Sequence, residues 1–273
     1  MSGIILGSGL AFAEIPTTAM QWVVFALAIL TTLSLQILSN LSNELGDALK
    51  GTDADQHGRD AYGLQAGTIT TTQIKRMIWL FAGLSVVFGT TLVFVAFCSQ
   101  PSAISNIIIF LGLGALAILG AVTYTLGKHS YGYIGLGDLG VFLFFGLLST
   151  MGAYYLQTQA LTWEVFACGV AIGLPCVGVL NLNNIRDMQN DRLHGKHTFA
   201  GLLGQKGARW YHGCLLMASL AIFAAFGHLW PLLMLPVWIG HIWYVCTHQG
   251  HNLDLQMPVL MFSTIIVACL AIL

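Results

Sequence analysis

The chain has 273 residues, 56% hydrophobic and only 8% charged, with ten Lys or Arg against eleven Asp or Glu; its mean hydropathy is +0.79 and its pI about 6.7. A soluble domain carries roughly 25% charged residues, so this composition excludes a water-exposed surface and a disordered chain. The lack of a basic excess argues against any nucleic-acid partner, which leaves a polytopic membrane protein with the lipid bilayer as its solvent.

Taken in chain order, Met1 to Phe12 is apolar but about half a span long, and it lacks the basic flank of a signal peptide. Full spans, at about 20 apolar residues each, are expected at residues 19–42, 77–97, 104–124, 139–158, 162–185, 209–226, 229–246 and 256–273. With the partial first helix this predicts an all-α helical bundle of about nine transmembrane helices, forming one domain over residues 1–273. Charge is concentrated in two stretches: nine charged residues lie between Glu44 and Arg76, and seven between Arg186 and Arg209. The polar segments 40–76 and 183–209 therefore carry the chemistry.

All ten basic residues fall in alternate loops: Lys50, Arg59, Lys75 and Arg76, then Lys128, then Arg186, Arg192, Lys196, Lys206 and Arg209. The positive-inside rule makes those loops cytoplasmic. The N-terminus is then inside and the C-terminus outside. A bacterial cytoplasmic membrane with the polar segments facing the cytoplasm is the expected setting.

Several patterns carry little. The six cysteines include no Cys-x-x-Cys and read as small packing residues. Gly135, Gly137 and Gly140 spell Gly-x-Gly-x-x-Gly, but a membrane helix follows and no strand precedes, so a dinucleotide fold is rejected. His241, His248, His251 and Asp254 invite a metal reading, yet His248 and His251 belong to a solvated loop. His194 and His197 flank Lys196. Gly169 and Gly173 read as helix packing.

The polar segments read NLSNELGDALKGTDADQHGRD from Asn40 and NLNNIRDMQNDRLHGKHT from Asn181, a weak internal repeat. Asn43 and Asp47 are i and i+4 with Asn40 one turn earlier; Asn183, Asp187 and Asp191 form an i, i+4, i+8 row. Two carboxylates about 5 Å apart repel by roughly 3 kcal/mol at an effective dielectric of about 20, and a divalent cation removes that conflict. Oxygen-only donors suit Mg2+, which binds through one or two carboxylates plus phosphate oxygens. The interleaved Lys50, Arg186 and Lys196 suit a diphosphate. Asp53, Asp55, Arg59 and Asp60 also fit an ordinary solvated loop.

These residues resemble the UbiA-type intramembrane prenyltransferases. The first segment is similar to that family's Asn-x-x-x-Asp motif at Asn43 and Asp47; Asp187 and Asp191 resemble its Asp-x-x-x-Asp motif, and Gly195, Lys196 and Thr198 its Gly-Lys-x-Thr. Tyr124 and Lys128 match the Tyr and Lys placed beside the diphosphate. Within the family, NELGDALKGTD, YGYIGLGD and NNIRDMQNDRLHGKHT look most like the menaquinone-pathway branch acting on 1,4-dihydroxy-2-naphthoate. The resemblance implies transfer of a polyprenyl chain from polyprenyl diphosphate to that aromatic acid, releasing CO2 and diphosphate and giving demethylmenaquinol.

It further implies Mg2+ held by Asn43, Asp47, Asp187 and Asp191, with Asp47, Asp187 and Asp191 catalytic. Asn40, Glu44, Lys50, Asp53, Tyr124, Lys128, Asn183, Arg186 and Lys196 are then expected to contact substrate. The chain departs from the pattern at Gly51, where relatives carry a third acid, and at Glu44, where they often carry Asp. The family's Arg-Pro-x-Thr-Leu opening is missing, so a late start is expected. Phe142, Phe144, Phe145, Tyr154 and Tyr155 are candidates for the prenyl tail or an allylic cation, though membrane aromatics more often pack. Two competing readings are a sibling enzyme prenylating 4-hydroxybenzoate or another aromatic, and a secondary transporter. The transporter reading is disfavoured because the acids cluster on one side rather than at the midplane and no helix is visibly broken by paired Gly or Pro at mid-depth.

The charge pattern makes a topological prediction. In a background lacking the native cysteines, single cysteines at Lys206 and Gln159 should react with impermeant maleimide from opposite faces, Lys206 from the cytoplasm. Labelling of both from one face would overturn the helix count.

Overall fold

The computed structural model describes residues 1–51, 63–64, 67–98, 103–128 and 130–273. It is 83% helical, and among the described residues there is no strand, as the composition requires of a chain whose backbone must satisfy itself in lipid. Among the described residues six helices are long and apolar enough to cross a membrane. The chain divides into two compact units, one of residues 1–17, 135–192 and 197–273, the other of residues 18–134 and 193–196.

The second unit contains three long helices, α2 (Ala19–Lys50), α3 (Thr71–Phe97) and α4 (Ala103–Thr123), each packed on the other two. α2 and α3 begin with the same device. Thr18 and Thr70 form capping boxes with Gln21 and Gln73, in which the glutamine side chain accepts the Thr backbone N–H at 2.9 and 2.8 Å. Both helices pass the apolar ends expected from the sequence. α2 runs on through Asn43 and Asp47 to Lys50 and stops at Gly51, whose φ of +73° is the left-handed cap that glycine adopts without a Cβ penalty. After α4 the chain turns back through a short helical turn, Tyr131–Tyr133.

The first unit is built around α7 (Trp163–Leu193), 67% of whose most apolar stretch is buried, against 28% or less in the other spanning helices. The unit also contains α1 (Ser2–Glu14), α5 (Gly137–Val141), α6 (Ser149–Thr158), α8 (Phe199–Ala225), α9 (Leu235–Thr247) and α10 (Gln256–Leu270). Leu6, Tyr154, Ile172, Leu216, Phe223, Trp238 and Leu260 share one core. α1 is the expected partial helix, packed on α6 and α10. Gly169 and Gly173 do pack helices: a Cβ on Gly146 would meet the Gly173 Cα at 2.6 Å. All six cysteines are free, and Cys168 is buried.

Three features depart from straight spans. The 139–158 span opens as α5, passes through a π-helical stretch, Phe142–Leu148, and ends as α6. α8 starts at Phe199, ten residues before the expected 209, and kinks at Gly204, whose φ is +70°. The span expected at 229 opens with a 3-10 turn, Trp230–Met234, with Pro231 at its start, before α9 begins.

The close approach of α2 to the turn after α4 makes a testable demand on Gly46. A Cβ there would meet the Thr125 side chain and, at 2.9 Å, its backbone carbon, whereas a Cβ at Gly83 meets nothing within 4 Å. Gly46→Ala should lower stability by about 1–3 kcal/mol and Gly83→Ala should not, as read from thermal unfolding in detergent.

Candidate active site

The end of α2 carries Asn43, Glu44, Asp47 and Lys50 in a cluster closed by the Tyr131–Tyr133 turn and by Lys196. The Thr125 hydroxyl donates to the Ser42 carbonyl at 2.9 Å and lies 3.2 Å from Asn43 Oδ1, tying the turn after α4 to the helix end. Tyr133 Oη donates to Asp47 Oδ1 at 2.7 Å. Lys196 Nζ stands 4.0 Å from Asp47 Oδ2, and Lys50 Nζ donates to Ser130 Oγ. Both ammonium groups lie over the Tyr133 ring, at 3.6 Å for Lys50 and 5.5 Å for Lys196 from the centroid. The two ammoniums beside the Asp47 carboxylate can offer an anion charge-assisted hydrogen bonds.

The turn that presents Tyr133 is held from below. Gly132 N–H donates to the Tyr124 carbonyl at 2.9 Å, and a Cβ on Gly132 would sit 2.7 Å from that oxygen. The Tyr124 and Tyr131 rings meet edge to face at 5.2 Å. Tyr131 Oη donates to the Gly120 carbonyl at 3.0 Å, and burial pushes its phenol above the usual range, keeping it a neutral donor.

The end of α7 carries the second row. Asn183, Asp187 and Asp191 all lie on the continuous helix that the i, i+4, i+8 spacing requires. Asn181 is fully buried and donates to the Ala208 carbonyl at 3.0 Å. Arg186 grips Asp187 with two parallel bonds, Nε to Oδ1 at 2.7 Å and Nη2 to Oδ2 at 2.5 Å, and reaches Asp254 Oδ1 through Nη1 at 2.7 Å. This fork-to-fork geometry is the strong form of the Arg–carboxylate pair. Asp191 is buried at 3% exposure. Beyond it, Arg192 donates to the Gly201 carbonyl at 2.7 Å, Gly195 takes a φ of +70°, and Thr198 caps α8 by accepting Gly201 N–H at 3.0 Å.

Of the residues expected at the site, Asn43, Asp47, Lys50 and Lys196 come together in one unit, and Asn183, Arg186, Asp187 and Asp191 follow one another along α7 in the other. Glu44 instead accepts the Leu64 N–H at 2.9 Å, holding the chain at Gly63 and Leu64. Asn40 and Lys128 are exposed and Tyr124 is half-buried. Asp53 lies outside the described residues, as do Asp55, Arg59 and Asp60. All three kinds of guanidinium nitrogen of Arg186 already engage a carboxylate.

The spacing arguments passed over Tyr133, Ser130 and Thr125, although YGYIGLGD contains the first. Asp254, weighed only with the histidines, is the second partner of Arg186. His241 does not face His248: its Nε2 lies 3.0 Å from His212 Nε2, and its Nδ1 2.8 Å from Gln256 Oε1. His248 stacks on Tyr244 with ring centroids 3.8 Å apart. Tyr154 is core, fully buried with its hydroxyl on Glu14.

The donor chemistry fits a hard divalent cation. Among the described residues no three His, Cys, Asp or Glu side chains form a ready-made metal cage, but magnesium typically takes one or two carboxylates and completes its shell with water and phosphate oxygens. Asp47 and Asp187 suit that mode, as carboxylates 18% and 21% exposed.

Fold and site describe an integral membrane protein whose polar helix ends present acids, amides and ammonium groups. The model of the UbiA prenyltransferase family matches residues 3–266, and the chain belongs to that family: it is a prenyltransferase. Curated relatives include the 1,4-dihydroxy-2-naphthoate octaprenyltransferase of Escherichia coli (strain K12), 44% identical over 225 residues that cover 80% of this chain and 72% of the relative. The enzyme of that name from Haemophilus influenzae is 38% identical over 226 residues, covering 83% and 72%. That from Mycobacterium tuberculosis is 34% identical over 207 residues, covering 75% and 67%.

The Arg186 fork predicts a stability effect. Arg186→Gln removes the charge-assisted bonds to Asp187 and should lower stability by about 1.5–3 kcal/mol. Asp254→Asn, which leaves the fork in place at a carboxylate 40% exposed, should cost less. Thermal unfolding of the two variants in detergent compares them directly.

Proposed function

We propose that this enzyme transfers a polyprenyl chain from polyprenyl diphosphate to 1,4-dihydroxy-2-naphthoate, with release of CO2 and diphosphate, and that Mg2+ is its metal. The observation that carries the reading is the cluster of Asp47, Lys50, Lys196 and Tyr133, which has the charge and the hard oxygen donors for a metal-bound diphosphate. The names of the relatives support the naphthoate acceptor. We read residues 1–273 as a single prenyltransferase domain in a bacterial inner membrane, with the polar segments facing the cytoplasm.

Asn43 and Asp47 form one metal-holding set and Asp187 and Asp191 the other. Bound there, magnesium would draw charge from the diphosphate oxygens and make diphosphate a better leaving group. Lys50 and Lys196 bind its remaining oxygens, with Lys128 contributing from its exposed position; their charge stabilises the electron pair that the breaking C–O bond leaves on diphosphate. Asn40, Asn183, Glu44, Asp53 and Tyr124 complete the substrate contacts. Arg186 acts through Asp187, fixing the orientation of that carboxylate. Apolar helices exclude water from the allylic cation until the electron-rich ring of the acceptor attacks it.

Two outcomes test this reading. Purified protein in detergent, given labelled polyprenyl diphosphate with 1,4-dihydroxy-2-naphthoate and 4-hydroxybenzoate in competition, should prenylate the naphthoate; exclusive use of the benzoate would assign the sibling activity. Activity should vanish in excess chelator and return with Mg2+. Asp47→Asn, Asp187→Asn and Asp191→Asn should each lower turnover by orders of magnitude with folding retained. A double variant should lose little more, because metal and diphosphate act as a unit.

A further inference from the structure

Tyr133 touches three charged groups from two separate stretches of chain, Asp47 and Lys50 at the end of α2 and Lys196 far along the sequence. Its hydroxyl donates to Asp47 Oδ1 at 2.7 Å, and its ring carries Lys50 Nζ at 3.6 Å and Lys196 Nζ at 5.5 Å. It is 9% exposed, and its backbone is fixed by its own N–H on the Ser130 carbonyl at 3.1 Å and by the close seat of Gly132 on Tyr124. Ser130, 2% exposed, takes the Lys50 ammonium.

We infer that Tyr133 is a positioning residue for the reaction, orienting the Asp47 carboxylate toward a divalent cation through its hydroxyl and holding the Lys50 and Lys196 ammoniums for diphosphate through its ring. The inference rests on reading Asp47 as a metal-holding carboxylate and deepens that reading. The two parts of the side chain do different things. A phenol donates to a carboxylate without bringing a positive charge to it, so one oxygen of Asp47 is fixed in place without a counter-ion at that oxygen. Hydrogen-bonded partners of this kind set the orientation of metal ligands, and losing one typically costs about 10–100-fold in metal affinity or activity. The ring answers a different problem. Two ammonium groups brought together repel, and the negative face of an aromatic ring offsets that repulsion before any anion arrives.

The hydroxyl and the ring are separable by substitution. Tyr133→Phe keeps the ring and removes the hydroxyl; Tyr133→Leu removes both. Full-length wild type and the two variants in detergent would be compared by Mn2+ binding in the presence of inorganic diphosphate, read from the free-ion electron paramagnetic resonance signal. Steady-state kinetics would supply the half-saturating Mg2+ and, at saturating Mg2+, the KM for polyprenyl diphosphate.

Tyr133→Phe is expected to weaken Mn2+ binding and raise half-saturating Mg2+ by about tenfold or more, with the diphosphate KM unchanged. Tyr133→Leu is expected to raise both. Wild-type Mn2+ affinity in Tyr133→Phe overturns the inference, as does a diphosphate KM that rises in Tyr133→Phe as far as it does in Tyr133→Leu. Where Tyr133→Leu fails to fold, the Tyr133→Phe comparison decides alone. Wild type that binds Mn2+ with diphosphate but prenylates a different aromatic refutes the naphthoate assignment and leaves the Tyr133 test intact. Wild type that binds no Mn2+ refutes the metal reading and this inference together.

Discussion

A carboxylate at the end of a membrane helix has to be stabilised before any substrate reaches it, because the adjoining hydrocarbon offers neither water nor counter-ions. Asp47 and Asp187 meet that constraint differently. Asp47 takes a neutral phenol at 2.7 Å and an ammonium only at 4.0 Å, so most of its charge stays available. Asp187 is gripped by a guanidinium at 2.5 and 2.7 Å, which also holds Asp254. The surrounding structure follows from these needs: the return of the chain after α4 to deliver Tyr133, the glycine that lets it seat on Tyr124, and the placement of Asp254 just before α10.

Helix length makes this arrangement possible. At 1.5 Å per residue, the 32 residues of α2 extend roughly 48 Å, well beyond a hydrocarbon core of about 30 Å. Its final turns therefore carry Asn43, Asp47 and Lys50 at the polar boundary while the backbone hydrogen bonds of the span continue unbroken. The 31 residues of α7 do the same for Asn183, Asp187 and Asp191. Side chains projecting from a continuous helix keep their spacing, whereas the same residues on a loop would have to be ordered by the substrate. Rigid supports of this kind are what a site needs if its charges are to be placed before the reaction begins.

The parts of the structure legible in the sequence are those governed by local periodicity. Apolar runs marked the spans, the i, i+4 acids marked helices continuing past them, and Gly169 and Gly173 marked a close helix crossing. Contacts made across long sequence separations were not legible. Tyr133 lies 86 residues from Asp47 and Asp254 lies 68 from Arg186, and no spacing rule links them. For the same reason spacing did not show that Arg186 engages Asp187 and Asp254, or that Glu44 accepts the Leu64 N–H. The π-helical stretch at Phe142–Leu148 and the kink at Gly204 were hidden because both sit inside sequence that is apolar or helix-compatible.

The weak repeat between the two polar segments extends to helix geometry but not to electrostatics. Both present an amide and an acid four residues apart near a helix end. At the end of the first, Lys50 and Tyr133 stand around Asp47 together with Lys196, which the second segment supplies. In the second, Arg186 sits between Asp187 and Asp254, two carboxylates to one guanidinium, and the fork fixes the orientation of Asp187. Lysine ammoniums on flexible stems can turn, while a guanidinium already engaged in a fork cannot turn without releasing Asp187.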